Sequence, residues 1–263
     1  MKYYMPFIVL FFNFTSMSIA QNKSLYLKKE YTDAKLGSIP YRILLPEHYD
    51  NSKQYPFILM LHGSGERGDD NEKQLVHGAS LFLKERIREE YPAIVVFPQC
   101  PEGDFWSNVD NNTKSNRQSA FEFKEKGAPT RAMEIMNKML LSLLEEYNVD
   151  MNSVYVGGLS MGGMGTFEIV RRNPDLFAAA FPICGGAHPE TAGELIKTDW
   201  WIFHGKKDKV VPCEFSIKMA DAIRAANGNV KLTIYPEAEH DSWTPAFAES
   251  ELLPWVFSKK LKH

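Results

Sequence analysis

The chain has 263 residues and a formal net charge of -3, with 44% hydrophobic and 24% charged residues. That length is near the upper size for a single core, and because no linker-like stretch divides the sequence, residues 21–263 are expected to form one domain after a leader. The charge balance supplies no broad cationic field, which argues against a nucleic acid partner and leaves a small, neutral or mildly charged substrate as the better match.

Residues 1–20 carry one early cation, Lys2, then an apolar run from Pro6 to Phe14, and close on Ser18-Ile19-Ala20. This is the pattern of a cleavable signal peptide, and the mature chain is expected to begin near Gln21. The apolar run is ~10 residues against the ~20 that span a bilayer, so no stable membrane insertion is expected after cleavage. Export places the protein in the periplasm or outside the cell. The three cysteines, Cys100, Cys184 and Cys213, are too few and scattered for a disulfide framework and have no C-x-x-C spacing. Free thiols are the expectation, with a Cys184–Cys213 pair left open because both follow strands on one edge of the sheet.

Leu25 to Tyr31 and Ile39 to Leu45 read as an antiparallel pair of strands. Phe57 to Leu61 is a nearly continuous apolar run, expected of a strand buried on both faces, and similar runs recur at Ile94 to Phe97, Val154 to Gly157, Ala178 to Ile183 and Trp200 to Phe203. Between them lie segments of helical spacing, Glu72 to Glu90, Thr130 to Tyr147, Met161 to Arg172 and Glu214 to Ala226. Val230 to Tyr235 is a last strand, and Ser242 to Leu261 is expected to be a closing helix bent by Pro245 and Pro254. This alternation predicts an α/β fold, a mainly parallel sheet with helices on both faces and antiparallel strands at its start. In such sheets ligands bind outside the carboxyl ends of the strands. Cys100 to Gly127 is too long and irregular for an ordinary connection and is expected to form a rim loop over that site.

Gly158-Leu159-Ser160-Met161-Gly162 is a G-x-S-x-G sequence between a buried strand and a helix. In that setting a sharp turn exposes the serine hydroxyl, so Ser160 is the candidate nucleophile. A serine hydroxyl needs an adjacent base. Of the seven histidines, His48, His77, His188 and His263 fall in loops, on a helix face or at the terminus. His62 and His204 end buried strands and are expected to buttress rim loops. His240 follows the last strand, where it can reach back to Ser160, and is the candidate base. Asp208 follows the penultimate strand and completes the order Ser, Asp, His of this fold, ahead of Asp175, Asp199, Asp221 and Asp241. The backbone N–H of Met161 and that of Ser64, with Gly65 next, are the candidate oxyanion donors. Trp106 and Trp243 are candidate substrate-binding aromatics, walls for an acyl or sugar group, with a packing role as the alternative for each. No phosphate loop and no metal-ligand spacing is present, so no cofactor is implied.

With these motifs the chain resembles the α/β-hydrolase esterases of the phospholipase/carboxylesterase, polyhydroxybutyrate-depolymerase-like and feruloyl-esterase-like families. The resemblance runs from about Leu36 to the carboxyl end and is carried by LHGSGERGDD from Leu61 to Asp70, PQCP from Pro98 to Pro101 with Trp106 beyond it, GGLSMGGMGT from Gly157 to Thr166, HGKKDKVVP and EHDSW. It implies a secreted or periplasmic serine esterase, a carboxylic-ester hydrolase removing feruloyl, acetyl or other short acyl groups from plant-derived saccharides, with a small-molecule or oligosaccharide ester as substrate. A prolyl-oligopeptidase-like peptidase keeps the same triad but usually adds a propeller, for which no segment exists here. A binding protein that has lost catalysis is the third reading, opposed by the complete motif set. Oligomeric state is not readable from the sequence.

Overall fold

The computed structural model describes residues 23–111 and 121–261; the expected signal peptide lies outside the described residues. Strands β1 (Leu27–Asp33) and β2 (Gly37–Leu44) form an antiparallel pair, with Gly37 in the left-handed region at the turn. Next come β3 (Tyr55–Leu61) and β4 (Ile94–Pro98), which pair in parallel, while β2 lies antiparallel against β4. The remaining strands of the main sheet are β7 (Val149–Leu159), β8 (Ala179–Ile183), β9 (Asp199–Gly205) and β10 (Val230–Tyr235), each parallel to its neighbour.

The sheet order is β1-β2-β4-β3-β7-β8-β9-β10. After β3 the chain crosses to one side to make β4 and then to the other to make β7. The boundary between β3 and β7 is thus the point where the winding reverses, the place where open α/β sheets leave a crevice at the carboxyl ends of the strands.

Because successive strand side chains point to opposite faces, each buried strand feeds two cores. Phe57, Leu59 and Leu61 with Val154, Val156, Trp200 and Ile202 face one layer. That layer is covered by α3 (Arg131–Glu146), α4 (Met161–Arg172) and α5 (Glu214–Ala225). Ile58, Met60, Val95, Tyr155, Trp201 and Phe203 face the other, under α1 (Ala79–Phe82) and α7 (Leu252–Phe257). This is the α/β-hydrolase arrangement that the alternation of strand and helix predicts.

Three expectations need correction. The stretch Glu72 to Glu90 is not one helix: a short 3-10 turn at Lys73–Leu75, α1, and α2 (Glu85–Glu90) replace it. Gly78 sits at φ 80°, in the left-handed region, and Lys84 is extended, so the helical path breaks twice. Ser242 to Leu261 likewise divides into α6 (Trp243–Ala248) and α7, parted at the extended Glu249. Pro245 and Pro254 each stand in the first turn of their helix, where no intrahelical N–H bond is lost; they open two helices rather than bend one. Within the rim insertion, β5 (Val109–Asn111) and β6 (Phe121–Phe123) pair as an antiparallel hairpin. Phe121 and Phe123 pack edge-on against Phe215 at the head of α5, which gives these three-residue strands a surface to rest on.

Both ends of the insertion are tied to the main body. Asp104 Oδ2 accepts the N–H of Ala132 at 2.9 Å, and Thr130 Oγ1 donates to Phe105 O at 2.6 Å while accepting the N–H of Met133 as the cap of α3. On the return, Arg171 and Arg172, both paired with the buried Glu168, donate to the carbonyls of Glu125 and Gly127.

Candidate active site

Ser160 stands between β7 and α4 with φ 52° and ψ −115°, a strained backbone for a residue with a side chain. Its N–H donates to Ile183 O at 2.9 Å and its carbonyl accepts Met164 N–H at 3.0 Å, so the strain is held from both sides. The turn closes this tightly only because Gly158 and Gly162 lack side chains. A Cβ on Gly162 would lie 2.0 Å from Leu61 O, and one on Gly158 would lie 2.4 Å from Gly162 O.

Ser160, Asp208 and His240 meet at this turn. Ser160 Oγ–H donates to His240 Nε2 at 3.0 Å, and His240 Nδ1–H donates to Asp208 Oδ2 at 2.7 Å. The His240 side chain keeps 22% of its surface exposed, while that of Asp208 is fully buried. The imidazole is open to solvent and the carboxylate is not. The loop that carries His240 is drawn onto the end of β9 at Gly205, where a Cβ would lie 2.1 Å from Glu239 O. Burial works against ionisation of Asp208, but hydrogen bonds from His204, His240 and the backbone outweigh it and hold the carboxyl well below the usual range. Its Oδ1 accepts the N–H groups of Val210 at 2.8 Å and Val211 at 3.0 Å.

The loop after β3 faces Ser160 across the crevice. A Cβ on Gly63 would stand 3.7 Å from Ser160 Cβ and 3.0 Å from Glu66 Oε2. Ser64 opens the 3-10 turn Ser64–Glu66 and Met161 opens α4, so the N–H of each belongs to a first turn that provides no acceptor within the helix. Gly65 is the middle residue of the same turn and borders open space. His62 braces this loop from below: Nδ1–H donates to Gly63 O at 2.6 Å and Nε2 accepts Cys100 N–H at 2.9 Å. Burial pushes its pKa down to about 4, so the ring is neutral and its tautomer is fixed by its two partners.

The two tryptophans differ. Trp106 is completely buried, edge-on to His62 at 5.4 Å and against Gly165, so it supports the floor of the site and offers no face to a substrate. The expectation of an aromatic wall at Trp106 is corrected by that burial. Trp243 is half-buried and lies edge-on to His240 at 5.4 Å, with the ring of His77 also 5.1 Å away. It borders a cavity of about 300 Å³ with His77, Lys84 and Phe247. A second rim cavity of about 310 Å³ is lined by Phe121, Phe123, Phe215, His188 and Lys218.

The sequence reading did not anticipate the Phe121, Phe123 and Phe215 cluster, nor the contact between His204 and Asp208, although both residues stand in the one run His204-Gly205-Lys206-Lys207-Asp208. Cys184, a thiol just beyond β8, lies at the site itself. Among the described residues, Cys184, Asp208 and His240 form the group whose ligand atoms, all within 4.8 Å of one another, could share a metal ion. Two of those atoms are already engaged with each other, as a hydrogen-bonded acid and base. Cys100, Cys184 and Cys213 are all buried free thiols, and Cys184 and Cys213 do not pair.

A serine held at a strained strand-to-helix turn, on the switch point of a sheet in this order, defines an α/β-hydrolase. Residues 36–235 match the model of the Esterase family, described as "Putative esterase", and the chain belongs to that family. It is 25% identical over 190 residues to a probable feruloyl esterase C of Aspergillus terreus (strain NIH 2624 / FGSC A1156), which covers 72% of this chain and 62% of the relative. It is 26% identical over 121 residues, 46% of this chain and 23% of the relative, to a poly(3-hydroxybutyrate) depolymerase of Ralstonia pickettii. The chain therefore spans less than two thirds of the length of either relative. The crystal structure of a thermostable esterase superposes with a TM-score of 0.81 at 33% identity, covering 91% of this chain and 64% of that one. Among the described residues no helix is long and apolar enough to cross a membrane.

Proposed function

We propose that the protein is a serine esterase that hydrolyses carboxylic esters through an acyl-enzyme, and that it acts after export on feruloyl, acetyl or other short acyl esters of plant-derived saccharides. The observation that carries this reading is the unbroken hydrogen-bond line from Ser160 Oγ through His240 to the buried Asp208. Ser160 Oγ attacks the ester carbonyl as its proton passes to His240 Nε2, and Asp208 stabilises the imidazolium that results. The carbonyl oxygen takes up the negative charge facing the N–H groups of Met161 and Ser64, each such donor being worth about 3 kcal/mol in the transition state. Collapse of the tetrahedral species breaks the bond to the alcohol, which leaves with the proton held on His240. Water then repeats the sequence on the acyl-enzyme and releases the acid, restoring Ser160 Oγ–H.

The substrate class is supported by the names of the relatives and by aromatic side chains lining two cavities of the rim. Trp243 borders one of these cavities and stands edge-on to the imidazole of His240, and it is assigned a face of the substrate pocket. The aromatic cavity at Phe121, Phe123 and Phe215 offers ring surfaces suited to an aromatic acyl group.

The test is a panel of p-nitrophenyl acetate and butyrate, methyl ferulate and a proline-containing peptide amide, run on wild type and Ser160→Ala. The expected result is hydrolysis of the esters in preference to the amide, reduced on the order of 10⁴-fold or more in the variant with its fold intact. Turnover of p-nitrophenyl acetate by Ser160→Ala at the wild-type rate would refute the mechanism, and preference for the amide would replace the ester. Export is supported by the pattern of residues 1–20. Amino-terminal sequencing of the protein recovered outside the cytoplasm is expected to start near Gln21, and an intact Met1 in that fraction would contradict cleavage.

A further inference from the structure

We infer that His204 is a positioning residue of the reaction: its Nε2–H is a second imidazole donor on the carboxylate oxygen of Asp208 that serves His240, and it holds that oxygen on line. This inference rests on the reading of Ser160, His240 and Asp208 given above.

His204 is the penultimate residue of β9, and its side chain is fully buried, as is that of Asp208. Nε2 lies 3.2 Å from Asp208 Oδ2 and 2.9 Å from Val211 O. Both are acceptors, so Nε2 must carry a proton whatever the charge of the ring. Nδ1 lies 2.7 Å from Ser216 Oγ on α5, and Ser216 Oγ lies 3.0 Å from Gly185 O after β8. The ring is therefore gripped from both nitrogens, by α5 on one side and by the loop of Asp208 on the other.

The consequence for Asp208 follows from its four donors. Oδ1 is fixed by the N–H groups of Val210 and Val211, which locate one oxygen and leave the carboxyl plane to turn about it. His204 locates the other oxygen. With both ends held, Oδ2 stays aimed at His240 Nδ1, where the charge of the imidazolium must be met as it forms. By sharing Oδ2, His204 also draws negative charge away from His240 and so limits how strongly Asp208 holds the proton there. Other ionisable groups near the pair are His240 from the loop after β10, Cys184 just after β8 and Cys213 before α5, with Asp241, Lys206 and Glu214 acting on the two thiols. Burial, with the nearby Asp208 charge adding to it, keeps the two thiols protonated.

The experiment compares wild type, His204→Gln and His204→Leu in kcat, KM and the pH dependence of kcat/KM, with Ser160→Ala alongside. Loss of one hydrogen bond to a charged group is expected to lower kcat of His204→Leu roughly 10- to 100-fold, with KM moving much less. The acid limb of kcat/KM is expected to move to higher pH, because Asp208 then bears on His240 alone. His204→Gln, whose amide can place an N–H where Nε2 stood, is expected to restore most of the loss. A folded His204→Leu with the wild-type kcat and acid limb would overturn the inference while leaving the triad standing; a fully active Ser160→Ala would instead overturn the triad reading.

If His204→Leu does not fold, nitrogen-edited spectra of the imidazole protons decide. The His204 Nε2–H signal, identified by its absence from His204→Gln, is expected at low field in wild type and in Ser160→Ala, and to shift upfield in Asp208→Asn. A His204 signal that Asp208→Asn leaves in place would overturn the assignment.

Discussion

His62 shows how one buried side chain links the site to the stability of the fold. Its ring is neutral with both nitrogens engaged, and a second proton would remove the acceptor that Cys100 N–H needs. Its pKa falls from 6.5 to about 4 on folding, so the unfolded chain binds the proton first as the pH drops. The stability this represents is complete above pH 6.5 and is lost progressively as the pH falls through about 4. At about 1.4 kcal/mol for each tenfold change in proton affinity, the full loss is roughly 3 kcal/mol. Urea unfolding at pH 7 and again near pH 4 is expected to show wild type losing more stability than His62→Gln by an amount of that order. Equal losses in the two proteins would contradict this role. Because His62 carries the loop of Ser64, the same titration should unsettle the proposed oxyanion donor there before the sheet gives way.

At the scale of single elements, α3 depends on its cap. Thr130 satisfies the N–H of Met133 and at the same time ties down Phe105, so one hydroxyl starts the helix and fixes the near end of the rim insertion. Thr130→Ala is expected to cost about 1 kcal/mol in urea unfolding. A loss near zero would show that water or Asp104 takes over the duty.

The helix that Thr130 starts was readable because its apolar positions recur with helical spacing and a capping residue stands before them. The break at Gly78 was not, because a left-handed glycine leaves the flanking apolar residues in nearly the same spacing. Pro245 and Pro254 signalled irregularity correctly but not its form, since a proline suits a first turn as well as it spoils an interior one. The hairpin of β5 and β6 was hidden by its length, three residues a strand, and by the fact that its support, Phe215, lies far along the chain.

For the molecule as a whole, the sheet order decides which distant residues can meet. Ser160, Asp208 and His240 each follow a different strand of one parallel set, and parallel strands with right-handed crossovers deliver those ends to a single rim. Their meeting was legible in the sequence because each stands at or soon after the end of a recognisable strand, in a short loop of its own. The share of His204 in Asp208 was not legible, since a histidine ending a buried strand carries the same signature whether it braces a loop or holds a carboxylate. Trp106 was misplaced for a similar reason: a tryptophan in a rim insertion looks alike as floor and as wall, and only its burial tells them apart.

The central claim, that these three strand ends make Ser160 a nucleophile, is tested most directly by reaction with a fluorophosphonate followed by mass mapping of the adduct. The expected result is one phosphonyl group per chain, on Ser160, no adduct in Ser160→Ala and much slower reaction in His240→Ala. Labelling at another residue, or labelling of Ser160→Ala at the wild-type rate, would contradict it.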